Sequence, residues 1–184
     1  MARSLKDNTS LIDLCQKGDH KAYEKLYNLY VKAMLNISYR IVNDKDEAED
    51  IFQETFLKSV KNIKNFENET AYASWLKRVI INSSIDFVRK KKIEFLTIEV
   101  AERIEDVENI NDDIIYDINT IKACILELPD GYRIIISLYL FEDYQHKDIA
   151  AALNISEGTS KSQYNRAKKK LIQLIKQKSI SYEQ

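Results

Sequence analysis

Only three glycines and one proline interrupt 184 residues, and this shortage of chain breakers restricts what the sequence can build. Tight turns between strands need residues with positive or pre-set φ, and few are present. Leu, Ile, Lys, Glu and Ala run on for long stretches instead, which favours helix. Apolar residues recur at three- and four-residue intervals from Leu11 to Leu35, tracing one or two helices over 10–42. Gly18-Asp19 breaks or restarts that helix, with Asp19 as N-cap. The fold class expected is all-α.

The same reading places further helices along the chain. Asp44 with Glu47 three residues on fits a capping box. The helix it opens buries Ala48, Ile51, Phe52, Thr55 and Phe56, and turns Asp50, Gln53, Glu54 and Leu57 outward. Residues 62–69 read as a loop. A helix over 70–89 follows, with Tyr72, Trp75, Leu76, Val79, Ile80, Ser83 and Phe87 on one side and Lys77, Arg78, Asn82, Asp86 and Arg89 elsewhere. Ile121, Ile125 and Leu128 mark a helix that stops before Pro129. Asp130-Gly131 reads as a turn, and 132–141 as a strongly apolar helix.

The formal net charge is −1, but it is a sum of opposed blocks. Residues 158–178 carry seven basic side chains and no acid, and residues 77–92 carry six against Asp86 alone. Residues 93–118 carry nine acids against Arg103 and lack a steady apolar period, so they read as a linker. Two small helical domains, 1–92 and 119–184, are expected on either side of 93–118. A partner feels such blocks individually, within a Debye length.

Residues 145–172 fit a helix-turn-helix. His146–Leu153 forms the first helix, Asn154 takes a left-handed conformation, Ile155 plugs the angle and Ser156 caps the second helix. Small residues at Ala150 and Gly158 suit a tight corner. The second helix keeps an inward stripe of Ser160, Tyr164, Ala167, Leu171 and Leu174. Outward it presents Lys161, Ser162, Asn165, Arg166, Lys168 and Lys169. Such a face suits the DNA major groove: Arg166 for guanine, Asn165 for adenine, and the lysines for phosphate. The helix start near Thr159 can also take a phosphate.

Enzymatic chemistry finds no footing. His20 and His146 are the only histidines, lie in different halves and read as surface helix residues without ligands at metal spacing. No Gly-rich phosphate loop or nucleophile motif occurs, and no cofactor is expected. Cys15 and Cys124 read as buried small hydrophobes. No apolar run approaches the roughly 18 residues of a membrane span, and the polar N-terminus lacks a signal peptide's apolar core. A cytoplasmic location is expected.

Three segments, in order, carry a resemblance. "DEAEDIFQETFLK" (46–58) resembles the core-polymerase-binding helix of region 2 in extracytoplasmic-function sigma factors of the sigma-70 family. "ASWLKRVIINSSIDFVRKKK" (73–92) resembles the part of region 2 that melts and reads the −10 promoter element. Residues 128–171 resemble region 4, which reads the −35 element. The resemblance implies an alternative sigma factor with core RNA polymerase and promoter DNA as partners, and an anti-sigma protein as a candidate third. It implies polymerase binding by Asp50, Gln53, Glu54 and Leu57. For −10 DNA it implies Phe66, Tyr72, Arg78, Asn82, Arg89 and Lys90, with Asp86 bracing the helix by a salt bridge. For −35 DNA it implies Thr159, Lys161, Ser162, Asn165, Arg166 and Lys169. Trp75 and Leu76 are expected in the core. Ser160 stands where the usual pattern has Val, its hydroxyl able to bond back to its helix, and Gln163 stands where Arg is frequent. The linker's acids, on this resemblance, could imitate a phosphate backbone. The alternative is a free-standing helix-turn-helix regulator, which would leave 46–58 unexplained.

Overall fold

The structure, a computed structural model, describes residues 10–91 and 118–182. The acidic linker therefore lies outside the described residues apart from Ile118, as does Lys92. The described residues form eight α-helices and one short 3-10 helix. The helices are α1 (Leu11–Gln16), α2 (His20–Val42), α3 (Lys45–Lys61), α4 (Glu69–Lys91), α5 (Ile118–Glu127), α6 (Asp130–Phe141), α7 (His146–Leu153) and α8 (Glu157–Tyr182). Contacts divide the chain into two compact units, one built on α1, α3 and the bulk of α2 and α4, the other on α5 to α8 with the C-terminal ends of α2 and α4.

The first unit begins with a reciprocal cap: Ser10 Oγ accepts the Asp13 N–H and the Asp13 carboxylate accepts the Ser10 N–H, both at 3.1 Å. Gly18, at φ +84°, then reverses the chain. Its N–H donates to the Cys15 carbonyl, and the Asp19 N–H reaches back to Leu14, a glycine-terminated helix end. Asp19 starts α2 as expected, its carboxylate accepting the N–H groups of Lys21 and Ala22. Asp44 does the same for α3, accepting from Asp46 and Glu47, the forward arm of the expected box.

Aromatic residues fill this unit. Tyr27 meets Phe52 and Phe56 edge-on at centroid distances of 5.3 and 5.1 Å. Phe66 meets Tyr72 and Trp75, each at 5.2 Å. Phe52, Phe56, Phe66 and Tyr72 are buried, and each such side chain contributes roughly 1.5–3 kcal/mol. The segment expected as a loop contains a 3-10 helix, Ile63–Asn65, with Ile63 and Phe66 buried. Helix α1 clamps it: the Gln16 amide donates to the carbonyls of Ile63 (3.3 Å) and Phe66 (2.8 Å). The Glu69 carboxylate in turn accepts the Leu11 N–H at 2.7 Å.

The buried side of α4 is turned from the expected one. Tyr72, Leu76 and Ile80 are buried, but the stripe continues through Ile81, Ser84, Ile85 and Val88, while Trp75, Val79, Ser83 and Phe87 are half-buried. Consecutive isoleucines (80 and 81) let either neighbour face inward, so spacing alone misplaced the centre of the stripe.

The second unit packs α5, α6 and α8 around Cys124, Ile125, Leu128, Tyr132, Ile136, Ala167, Leu171 and Ile175. Asp130 and Gly131 are not a separate turn; they are the first turn of α6, with Pro129 (φ −50°) as its N-cap. Proline's lost N–H would have had no partner at a helix start, so the residue that ends α5 also begins α6. The Asp130 carboxylate accepts from buried Arg133 at 2.7 Å, and Arg133 also donates to the Leu128 carbonyl at 3.0 Å. Glu127 and Lys178 pair α5 with α8. Cys15 and Cys124 are fully buried, and burial pushes both thiols above their ordinary range.

Tyr72 has no exposed surface, and its hydroxyl lies 2.8 Å from that of Ser59. Burial, outweighing the Ser59 hydrogen bond, pushes its phenol from 10.0 up to about 12. An unfolded chain releases this proton near pH 10, whereas the folded chain keeps it until about pH 12. Stability therefore holds below pH 10 and falls as pH rises toward 12, by on the order of 2 kcal/mol. Urea unfolding across that window should show the fall shrinking by this amount in Tyr72→Phe; equal falls in both proteins would refute the assignment.

Candidate functional site

Helix α3 uses two faces for two purposes. Ala48, Ile51, Phe52, Thr55 and Phe56 are buried, as expected. On the opposite side, at the helical spacing i, i+3, i+4, i+7, stand Asp50, Gln53, Glu54 and Leu57, all exposed. Glu54 pairs with Lys58 one turn on, at 2.8 Å. Leu57 is 60% exposed among these polar residues. An apolar side chain left in water beside carboxylates costs nothing to the fold and is available to a partner.

The residues expected on −10 DNA divide into two groups. Arg78, Asn82 and Lys90 are exposed on α4 at intervals of four and eight. Arg89 is half-buried and held by Asp86 at 3.5 Å, the brace expected of Asp86. Phe66 and Tyr72 depart from expectation: both are buried, packed edge to face within the core. An aromatic residue in a polar loop suggested a stacking platform, but Gln16 fixes that loop by its backbone with the Phe66 ring inward, while Tyr72 lies on the buried side of α4. Trp75 leans on Phe66 and keeps part of its surface exposed; Leu76 is fully buried. Sequence reasoning missed Gln16, and nothing in its local spacing signals a clamp 47 and 50 residues away.

The helix-turn-helix forms where expected. Helix α7 spans His146–Leu153 and ends at Asn154 with φ 55°, ψ 47°. The Ile155 N–H returns to the Ala150 carbonyl at 3.0 Å. Ser156 Oγ accepts the Thr159 N–H at 3.0 Å and lies 2.8 Å from the Thr159 hydroxyl, so Thr159 is engaged in the cap. Gly158 is not required by crowding, since a Cβ there would meet only Ser156 Oγ at 3.7 Å. The inward stripe runs through Ser160, Ala167, Leu171 and Ile175, with Tyr164 and Leu174 partly covered.

Lys161, Ser162, Asn165, Arg166 and Lys168 are exposed on the outer face of α8, with Lys169 half-buried beside them. Lys161 pairs with Glu157 at 2.7 Å. That hydrogen bond and charge, with smaller effects of His146 and Lys147, hold the Glu157 carboxyl below its usual range. Ser162 donates to the Thr159 carbonyl at 3.0 Å. The face is thus polar, basic and one helix wide, matching a groove about 12 Å across.

His146 is not the surface residue its isolation suggested. Its ring stacks on Tyr139 at 4.8 Å with 23° between planes and meets Tyr164 at 5.6 Å. Its Nδ1 lies 3.0 Å from Ser160 Oγ. Ser160 therefore bonds to a neighbouring helix rather than back into its own.

The family model "Sigma-70 region 2" matches residues 26–93, and "Sigma-70, region 4" matches 118–171. The ECF RNA polymerase sigma factor SigW of Bacillus subtilis (strain 168) is 33% identical over 168 residues, 85% of this chain and 90% of its own length. The chain belongs to the extracytoplasmic-function class of the sigma-70 family. The RNA polymerase sigma-H factor of Pseudomonas aeruginosa is 30% identical over 170 residues, 86% and 88% of the two chains. Sigma factor RpoE, crystallised with the anti-sigma factor NepR from Bartonella quintana, shares the fold at TM-score 0.54 and 23% identity, over 85% of this chain and 98% of that one. This sigma factor directs transcription initiation, and the region 2 match removes the ground for a free-standing regulator. Among the described residues no helix is long and apolar enough to cross a membrane.

Asn154 generates a prediction. A left-handed residue with a Cβ costs about 1–2 kcal/mol unless it is Gly, Asn or Asp. Thermal unfolding should find Asn154→Gly unchanged or slightly stabilised and Asn154→Ala destabilised by about 1 kcal/mol. Equal melting of Asn154→Ala and the parent would show that the corner is not under this strain.

Proposed function

We propose that the sigma factor divides its work among three helix faces. The α3 face of Asp50, Gln53, Glu54 and Leu57 docks on core RNA polymerase. Arg78, Asn82, Arg89 and Lys90 on α4 attend the opened −10 strand. Thr159, Lys161, Ser162, Asn165, Arg166 and Lys169 lie against the −35 duplex. The corresponding domains are 1–92 and 119–184, joined by the acidic segment 93–118. Phe66 and Tyr72 support the −10 loop from within, so any base capture falls to the residues around them. Polymerase supplies all the chemistry, in the cytoplasm where the chromosome lies. RpoE was crystallised with an anti-sigma factor; a protein of this kind is the candidate regulator here.

Leu57 carries the docking assignment. It is the one large apolar side chain exposed on α3, and its burial against a partner would contribute about 1.5–3 kcal/mol. Leu57→Ala and Asp50→Lys should each weaken co-purification with core polymerase about tenfold or more, while leaving the melting temperature unchanged. Wild-type retention by both would move the docking face elsewhere.

On α8, phosphate and base contacts separate by experiment. Lys168→Ala should lower affinity about equally on all sequences and reduce the log–log salt slope by about 0.9. Arg166→Ala should relax the choice at one base pair, by about 1–3 kcal/mol of discrimination. Uniform weakening by Arg166→Ala, with base preference intact, would reassign Arg166 to the backbone.

A further inference from the structure

The recognition helix is held from behind by a hydrogen bond as well as by apolar packing. Ser160 has no exposed surface, and its hydroxyl faces His146 Nδ1 at 3.0 Å. The imidazole is fixed in turn, stacked on Tyr139 from α6 and edged by Tyr164 from α8, while Tyr139 and Tyr164 meet at 4.4 Å. Three helices thus converge on one polar contact in the first turn of α8. Beyond it, the stripe is Ala167, Leu171 and Ile175, and burial of such residues has no preferred direction. A hydrogen bond does, weakening steeply off line.

We propose that His146 and Ser160 are positioning residues for promoter readout, setting the roll of α8 about its axis. This rests on the −35 assignment above. Side-chain tips stand roughly 5–6 Å from a helix axis, so a roll of about 20° moves them by roughly 2 Å. A base contact from Arg166 or Asn165 is lost by such a shift, because bidentate bonding needs donor–acceptor distances near 3 Å. A lysine on a phosphate follows it, being a point charge on a flexible stem. The latch therefore governs which sequence is chosen and leaves the strength of electrostatic binding alone. It also gives the serine at 160, where the usual pattern has valine, a purpose that a β-branched hydrocarbon cannot serve.

The test uses the full chain with core polymerase transcribing a promoter library randomised at the −35 element. Wild type must first direct initiation from a defined subset; failure there would sink the sigma reading itself. Ser160→Ala should reduce discrimination between best and single-mismatch elements about fivefold to tenfold, with salt dependence unchanged. Ser160→Thr, which restores the hydroxyl, should recover wild-type discrimination. His146→Phe keeps a ring to stack on Tyr139 but no nitrogen, and should match Ser160→Ala. The double variant should be no worse than either single one, since both remove the same bond. Wild-type discrimination in Ser160→Ala or His146→Phe, or losses that multiply in the double variant, would overturn the proposal. If Ser160→Ala melts early, His146→Phe and Ser160→Thr still decide it.

Discussion

Asn154 takes the chain through a left-handed residue, and that single conformation decides how α7 and α8 cross. A helix cannot continue through it, so the next N–H groups need new partners. Ile155 finds the Ala150 carbonyl, and Thr159 finds the Ser156 hydroxyl. The corner is closed by backbone bonding and one side-chain cap, with no need for a glycine at 158. Once α8 leaves the corner at a fixed angle, Ala167, Leu171 and Ile175 meet α5 and α6, and Lys161, Asn165, Arg166 and Lys168 are left on the exposed side. The exposed face is thus a consequence of what the other side must bury.

The first unit reaches a similar result by a different route. Its core holds four buried aromatic residues among aliphatic ones, and rings of that size demand particular neighbours: Tyr27 on Phe52 and Phe56, Phe66 on Tyr72 and Trp75. Satisfying them fixes the rotation of α3 and α4, which leaves Asp50, Gln53, Glu54 and Leu57 outward on one and Arg78, Asn82 and Lys90 outward on the other. The loop between these helices is drawn in by Gln16. A surface able to bind is therefore presented by helices whose rotation the core has already determined.

What could be read from the letters followed periodicity and capping, because both are local. Asp19, Asp44, Asn154 and Ser156 start or end helices as their chemistry suggested, and the outward residues of α3 and α8 follow from spacing alone. Errors arose where two local answers compete. Isoleucines at 80 and 81 allow two faces for α4, and Pro129 both ends one helix and begins the next. Contacts between distant residues left no trace at all. Gln16 with the Ile63 and Phe66 carbonyls, and His146 with Ser160, depend on where whole helices come to rest. Phe66 was misjudged for that reason: an aromatic residue in a polar loop looks exposed until the clamp beneath it is known.

The ion pairs on the outer faces suit a factor that must bind and later let go. Glu54–Lys58 and Glu157–Lys161 are both pairs within one helix, with both partners in contact with water. Exposed pairs of this kind are worth about 0–1 kcal/mol. Such a pair keeps a lysine or arginine ordered in the free protein yet yields to a phosphate, whose binding gains from released counterions. A buried pair at the same positions would hold its cation too firmly to exchange it. The strong polar contacts, Arg133 with Asp130 and Leu128 above all, are kept inside the fold, where exchange with a partner is not asked of them. Placing weak pairs on the binding faces and strong ones beneath allows partners to be changed without loosening the helices that present them.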